Sequence, residues 1–314
     1  MNPKNEKPCS PTIRNYRPED HERLRKLKID LEQGGQSLDP WSWQDLEECL
    51  AFPNRLRKSN AFVAETEQKL IAFLKVKTEP DLGRIVLSLV THPRDGKKNL
   101  LRRLLQEAIF SVQASKAERV HINLPRGWPE LKSVLLKMGF RPVRRYVELR
   151  LDLLEIPIPR TSLKVAHIHP FQRGEESRLA WIQNRAFSGT WGYSSNTPRD
   201  IVDRTLLPGF SPEDVLLAFV DLRLVGFCWT MVTSRATSSR RRSGRVFMVG
   251  VAPGYRGRGV GKQLLLAGLS RLKRRRIQRV DLTMDSENDV ARSLYRSLGF
   301  RQRTSTVGYE KSLP

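Results

Sequence analysis

Two short apolar runs, KLIAFLKVK at residues 69–77 and RLVGFCWTM at 223–231, are bounded by polar residues and are too short for helices. They predict buried strands. Ahead of each, the apolar spacing changes to the helical period, with helices predicted at 21–31 and 43–50 in the first half, and a tight hairpin predicted at EQK or DLR. After each comes a strand, a turn-rich loop, a helix, a strand, a helix and a strand. In the second half the first of these strands is predicted at 245–251 and its helix from Val260, with Leu265, Leu269 and Leu272 on one face. KRRRIQ closes that helix, where positive charge suits the dipole. VDLTM is the next strand, and DSEN opens a helix whose apolar face is read as Val290, Leu294 and Leu298 before Gly299 stops it.

The two halves match each other. A shift of 160 residues lays 93–140 on 253–300 without a gap. Only eight positions are identical, among them Pro93, Arg119, Val120, Gly139 and Phe140, but apolar periods, loop length and the Gly-Phe end agree throughout. This is the mark of a duplicated unit. Domains are therefore expected at 13–154 and 163–314, joined by the Pro-containing EIPIPRTS. The fold class is α/β: two tandem domains, each a central mixed β-sheet flanked by helices.

Charge changes the picture next. The 56 Lys and Arg against 33 Asp and Glu give a net charge of +23. Residues 161–314 hold 26 basic and 12 acidic residues, or +14, which leaves +9 for the first half. Such a field suits anionic partners, so nucleic acid or ribosome stays open beside a phosphorylated co-substrate; a solvated arginine-rich surface accounts for it equally well. Three scattered cysteines, Cys9, Cys49 and Cys228, fit neither a disulfide framework nor a zinc site. His167 and His169 lack a third ligand. No apolar stretch is long enough to span a membrane, and a cytoplasmic location is expected.

The chemistry concentrates in VFMVGVAPGYRGRGVGKQLL, residues 246–265. Gly257, Gly259 and Gly261 free backbone amides to turn toward an anion at a helix N-terminus, and Arg256, Arg258 and Lys262 add charge. The loop predicts a pyrophosphate site. It is not a Walker loop, because Arg256 stands where the first glycine belongs and Gln263 where Ser or Thr would bind magnesium. Nor is GxGxG the dinucleotide fingerprint. A mobile arginine-rich loop of the RNA-binding kind is the competing reading.

VGVAPGYRGRGVGKQLL resembles the acyl-CoA loop of the GNAT superfamily of N-acetyltransferases, whose Q/R-x-x-G-x-G/A pattern is filled by Arg256, Gly259 and Gly261. SENDVARSLYRSLGF is similar to that family's second cofactor segment. The tandem arrangement, with AFSGTWG and GFCWT, is most similar to the mycothiol synthase relatives of the superfamily. The resemblance implies acetyl-CoA as co-substrate and no metal. It implies that Val249, Gly250 and Val251 offer backbone groups to pantetheine, with an amide near Val249 on the thioester carbonyl. Arg256, Gly257, Arg258, Gly259, Val260, Gly261 and Lys262 would take the pyrophosphate, Asn288 would touch pantetheine, and Tyr295 would protonate the departing thiolate. In related folds the segment between the first two helices covers the acceptor, which makes Trp191 and Tyr193 in GTWGYSSN candidate substrate contacts. The competing reading of Tyr295 is an amphipathic tyrosine filling the core margin. Asp285 is a candidate base or merely a helix cap, and no base is assigned.

The first half has Asn99, Leu101, Trp128 and Leu135 at the positions of Gly259, Gly261, Asn288 and Tyr295. Leu101 would obstruct a phosphate and Leu135 has no proton to give, so this copy is degenerate. Where the mycothiol synthase type has glutamate, lysine and tyrosine, this chain has Arg245, Met231 and Thr283; the resemblance carries the reaction, not the acceptor. The leading reading is transfer of an acetyl group from acetyl-CoA to a primary amine of a small molecule, with an anionic acceptor left open. The alternatives are acetylation of a ribosomal or nucleic-acid-bound protein, and a non-enzymatic module binding acyl-CoA or nucleic acid.

Overall fold

The computed structural model describes residues 10–34, 39–52, 60–67, 69–92, 94–95, 97–113, 115–154, 165–207, 210–233 and 242–313. The linker at 155–162, most of the 233–245 insertion, Pro93 and Cys9 lie outside the described residues. The chain forms two contact units, one of residues 1–144 with 306–314, the other of residues 145–305.

The first unit runs β1 (Thr12–Asn15), α1 (His21–Gln33), α2 (Pro40–Ala51), β2 (Ala61–Glu65), β3 (Leu70–Glu79), β4 (Arg84–Thr91), α3 (Lys98–Phe110), β5 (Arg119–Pro125) and α4 (Pro129–Lys137). The chain then continues through β6 (Arg141–Asp152), β7 (His167–Pro170), α5 (Glu176–Phe187), α6 (Pro198–Thr205), β8 (Val215–Val220), β9 (Arg223–Thr233), β10 (Ser243–Val251), α7 (Val260–Arg274), β11 (Arg279–Asp285), α8 (Asp289–Ser297) and β12 (Arg301–Ser312). Strand order is β1-β2-β3-β4-β5-β12 in the first unit and β6-β11-β10-β9-β8-β7 in the second. Each sheet is mixed: β4–β5 and β10–β11 are parallel, the other registered pairs antiparallel. The 160-residue shift holds to the residue for β5 with β11, α4 with α8 and β6 with β12.

The sequence reading is corrected at the last strands. β6, from the first half, pairs with β11, Asp152 opposite Arg279 through Tyr146 opposite Asp285. β12, from the second half, pairs with β5 in the equivalent register, Ser312 opposite Arg119 through Thr306 opposite Pro125. Each sheet is completed by the other half's strand, so the contact units part at Arg144 and Ser305 rather than within 155–162. The division into 13–154 and 163–314 describes the covalent repeat, and we keep it as a proposal. Pattern alone could not reveal the exchange, because either copy offers the same alternation to either sheet.

In the second unit the sheet carries an apolar layer on each face. Val246, Val280, Leu282 and Met284 pack with Leu264, Leu265, Leu269, Leu272, Tyr295 and Leu298 of α7 and α8. Val215, Leu217, Phe227 and Trp229 pack with Leu179, Ile182, Ala186 and Ile201 of α5 and α6. α5 approaches β10 so closely that a Cβ on Gly250 would lie 2.8 Å from both Ala186 Cβ and the Phe227 ring. One predicted face shifts: Val290 is 84% exposed, and Ala291 and Leu294 join Tyr295 and Leu298 instead. Steps of four residues drift by roughly 40° on a helix, which carries the first-turn residue off the buried stripe.

Candidate active site

β10 and β11 begin as parallel neighbours, with Ser243 opposite Arg279, Gly244 opposite Val280 and Arg245 opposite Asp281. Their registered pairing stops there, although β11 stays paired to β6 as far as Asp285. β10 follows β9 instead, through an irregularity between Val246 and Met248 that turns the strand away. Val249, Gly250 and Val251 pair on the β9 side with Cys228, Phe227 and Gly226. Their other edge faces the parting of the two strands, where an extended amide-bearing ligand can add itself as a strand would.

The loop beyond β10 leaves helix amides without a side-chain cap. A 3-10 turn at Pro253–Tyr255 ends at Arg256, and Gly257 and Gly259 take positive φ values of 74° and 86°, which a side chain would strain. Gly259 caps α7 without a side-chain hydrogen bond, and the Gln263 amide is the first to donate back, to Gly259 O at 3.0 Å. The amides of Val260, Gly261 and Lys262 thus precede the first helical bond, at the positive end of a 15-residue helix. A Cβ on Gly261 would meet only Val251 Cγ2, at 3.5 Å. These residues fit a pyrophosphate.

The charged residues divide. The Arg256 guanidinium donates to Ala186 O at 2.7 Å and to Val251 O at 3.1 Å, so its side chain braces the loop against α5 and β10. Arg258 lies 5.4 Å over the Tyr255 ring, and Lys262 is exposed. Gln263 accepts from the amides of Val165 and Ala166 and donates to Ala166 O at 2.8 Å, fixing the approach to β7. Sequence reasoning missed both braces, since their partners lie 70 and 97 residues away.

Tyr295 is 7% exposed, packed in the α7 and α8 layer with its ring edge-on to Phe300 at 5.7 Å. Burial, and secondarily the neighbouring Cys228, raises its pKa above the ordinary phenol value. Burial likewise pushes the Cys228 thiol up to about 12. Both groups are therefore protonated at neutral pH. Asn288 caps α8, accepting from the Ala291 amide at 3.0 Å, and Asp285 accepts from the Glu287 amide at 2.9 Å.

On the other face, the β10–β11–β6 end of the sheet carries polar groups beyond the α5 and α6 layer. Arg245 donates to Thr283 across the mouth of the parting, and Arg150 grips Asp281 with two bonds, of 2.7 and 2.8 Å. Trp191 and Tyr193 lie on the segment between α5 and α6. The Tyr193 hydroxyl donates to Asn184 Oδ1 and accepts from Asn196 Nδ2, both at 3.0 Å, and its ring stacks on Phe187 at 5.2 Å. Tyr193 thus anchors the segment.

In the first unit the equivalent helix, α3, begins at Lys98, two positions earlier than α7 under the repeat. Asn99 is helical and Leu101 is buried in the core. Trp128 and Leu135 are core residues as well. The elements are retained, while the glycine loop is not.

The Acetyltransferase (GNAT) family model matches residues 177–300. Mycothiol acetyltransferase of Thermomonospora curvata is 34% identical over 272 residues, spanning 86% of this chain and 88% of that protein. The chain belongs to the GNAT acetyltransferase family. Mycothiol acetyltransferase of Pseudarthrobacter chlorophenolicus is 33% identical over 254 residues, 78% of this chain and 75% of that one. A solved tandem GNAT protein from the clavulanic acid biosynthesis pathway shares the fold, with a TM-score of 0.71 at 13% identity over 96% of this chain and 98% of its own. The tandem GNAT architecture and the acetyl-CoA-dependent N-acyltransferase activity follow for this enzyme. Among the described residues no helix is long and apolar enough to cross a membrane.

Proposed function

We propose that this enzyme acetylates the primary amine of a small, anionic molecule at the parting of β10 and β11. The observation that carries the reading is that parting itself, with free helix amides at one end and Tyr295 in the same apolar layer as Val249 and Val251. Acetyl-CoA supplies the activated acetyl group. Val249, Gly250 and Val251 hold the pantetheine arm, and a β10 amide near Val249 stabilises negative charge on the thioester oxygen. The amides of Val260, Gly261 and Lys262 hold the pyrophosphate, with Arg258 and Lys262 adding charge; Asn288 approaches pantetheine from α8. As the amine nitrogen bonds to the acetyl carbon and the carbon–sulfur bond breaks, Tyr295 gives its proton to sulfur. The amine proton leaves to solvent, and a solvent proton restores the Tyr295 hydroxyl.

Arg245 at the mouth and the +14 charge of residues 161–314 favour an anionic acceptor. The small-molecule acceptors of the two curated relatives favour this class over a protein or a nucleic-acid-bound target. We also assign the enzyme to the cytoplasm, in keeping with the buried free thiols Cys49 and Cys228. The test is thiol release from acetyl-CoA against a panel of amino sugars, amino acids, polyamines and peptides. Turnover confined to small anionic amines is expected; turnover only on peptides would overturn the acceptor class.

Trp191 and Tyr193 separate in a finer test. Trp191→Ala is expected to raise the acceptor KM roughly tenfold, the value of a lost aromatic contact, with the CoA Kd unchanged. Tyr193→Phe removes the bonds to Asn184 and Asn196 and is expected to lower Tm. Equal losses of acceptor and CoA affinity in Trp191→Ala would return Trp191 to a packing role.

A further inference from the structure

Several arginines among the described residues are matched by carboxylates. Arg14 and Arg23 share Asp20 and Glu65, Arg271 and Arg275 share Asp214, Arg150 holds Asp281, and Arg303 holds Glu148. A cluster in the second unit departs from this pattern. A cavity of about 720 Å³ in the second unit is lined by Arg145, Val147 and Leu149 of β6, Ser286 after β11, Arg292 and Arg296 of α8, and Phe300, Arg301 and Gln302 where β12 begins. It holds four arginines and no carboxylate. Arg292 is committed to Asp289 Oδ1 at 2.8 Å and to Ser286 O, whereas Arg145, Arg296 and Arg301 have no salt bridge to a described residue.

We infer that this cavity is a second anion site, taking a small organic oligophosphate. Guanidinium groups gathered without counter-charge repel one another, and a multiply charged ligand relieves that repulsion. Their planar donor forks match phosphate oxygens. The volume suits a nucleotide-sized molecule, and buried Val147, Leu149 and Phe300 give its uncharged body an apolar floor. A concave cavity, rather than a stripe of charge, favours a small ligand over a nucleic-acid strand. The site is distinct from the acyl-CoA groove: β11 separates β6, which floors it, from the edge of β10.

The experiment titrates tripolyphosphate into the full-length protein already saturated with CoA, which occupies the α7 N-terminus. One site per chain is expected. Arg296→Gln with Arg301→Gln should weaken it about 100-fold, roughly tenfold for each charge-assisted contact, with CoA affinity unchanged. Lys273→Gln with Arg274→Gln, at the basic end of α7, should leave it unchanged. Arg145→Gln alone gives an independent reading should the first double variant fold poorly. Loss of tripolyphosphate binding on CoA saturation would overturn the site, as would equal weakening in both double variants or a parallel loss of CoA affinity. Several weak sites displaced by RNA would assign the charge to nucleic acid instead.

Discussion

Replacing Tyr295 by phenylalanine is expected to lower kcat by ~10²- to 10⁴-fold, the usual contribution of a positioned general acid. KM should change little, because the variant keeps the ring and its edge-on contact with Phe300. The hydroxyl makes no hydrogen bond to another described residue, so stability should shift by less than ~1 kcal/mol. If product release limits the wild type, the steady-state loss shrinks while the single-turnover loss remains. Wild-type single-turnover rates in the variant would reduce Tyr295 to a core residue. A pH profile adds an independent check. Burial raises the Tyr295 pKa, so the acid stays protonated beyond the ordinary phenol value near 10. The wild-type rate should rise with pH as the acceptor amine loses its proton, and should not turn down before about pH 10.

The elements that carry this candidate site were legible in the chain because each is local. The loop from Arg256 to Lys262, its position between a strand and a helix, and the α8 segment carrying Asn288 and Tyr295 each occupy one short stretch. What escaped depends on partners distant in sequence. Nothing in the local apolar alternation of β6 or β12 names the strand it will meet, and the exchange of the two became visible only through register. Arg256 read as a phosphate ligand by charge, yet its guanidinium is spent on the carbonyls of Ala186 and Val251. Gln263 read as a missing metal ligand, and it ties α7 to the backbone before β7. Both residues hold the loop in shape, which leaves the backbone amides as the groups we propose for the anion. Cys228 beneath Tyr295 is a further long-range neighbour, brought there by the pairing of β9 with β10.

That assignment makes Gly261 the sharpest test of the co-substrate site. Its φ is helical, unlike those of Gly257 and Gly259, so a side chain there does not strain the backbone. The nearest atom to an added Cβ is Val251 Cγ2 at 3.5 Å, an ordinary contact. Leucine also has a better helix propensity than glycine, by up to ~1 kcal/mol. Gly261→Leu should therefore fold with an unchanged or slightly higher Tm in the absence of ligand. It should nevertheless cover the first-turn amides where a pyrophosphate approaches. Losing two charge-assisted hydrogen bonds at ~1.5 kcal/mol each weakens CoA roughly 100-fold or more. Differential scanning fluorimetry with and without CoA reads both quantities on one sample, and calorimetry fixes the Kd. The reciprocal change, Leu101→Gly in α3, should destabilise the first unit, because Leu101 is 1% exposed in its core; it should leave CoA affinity intact. If Leu101→Gly alone altered CoA binding while Gly261→Leu did not, the competent copy would be the first, and the functional division between the two halves would be reversed.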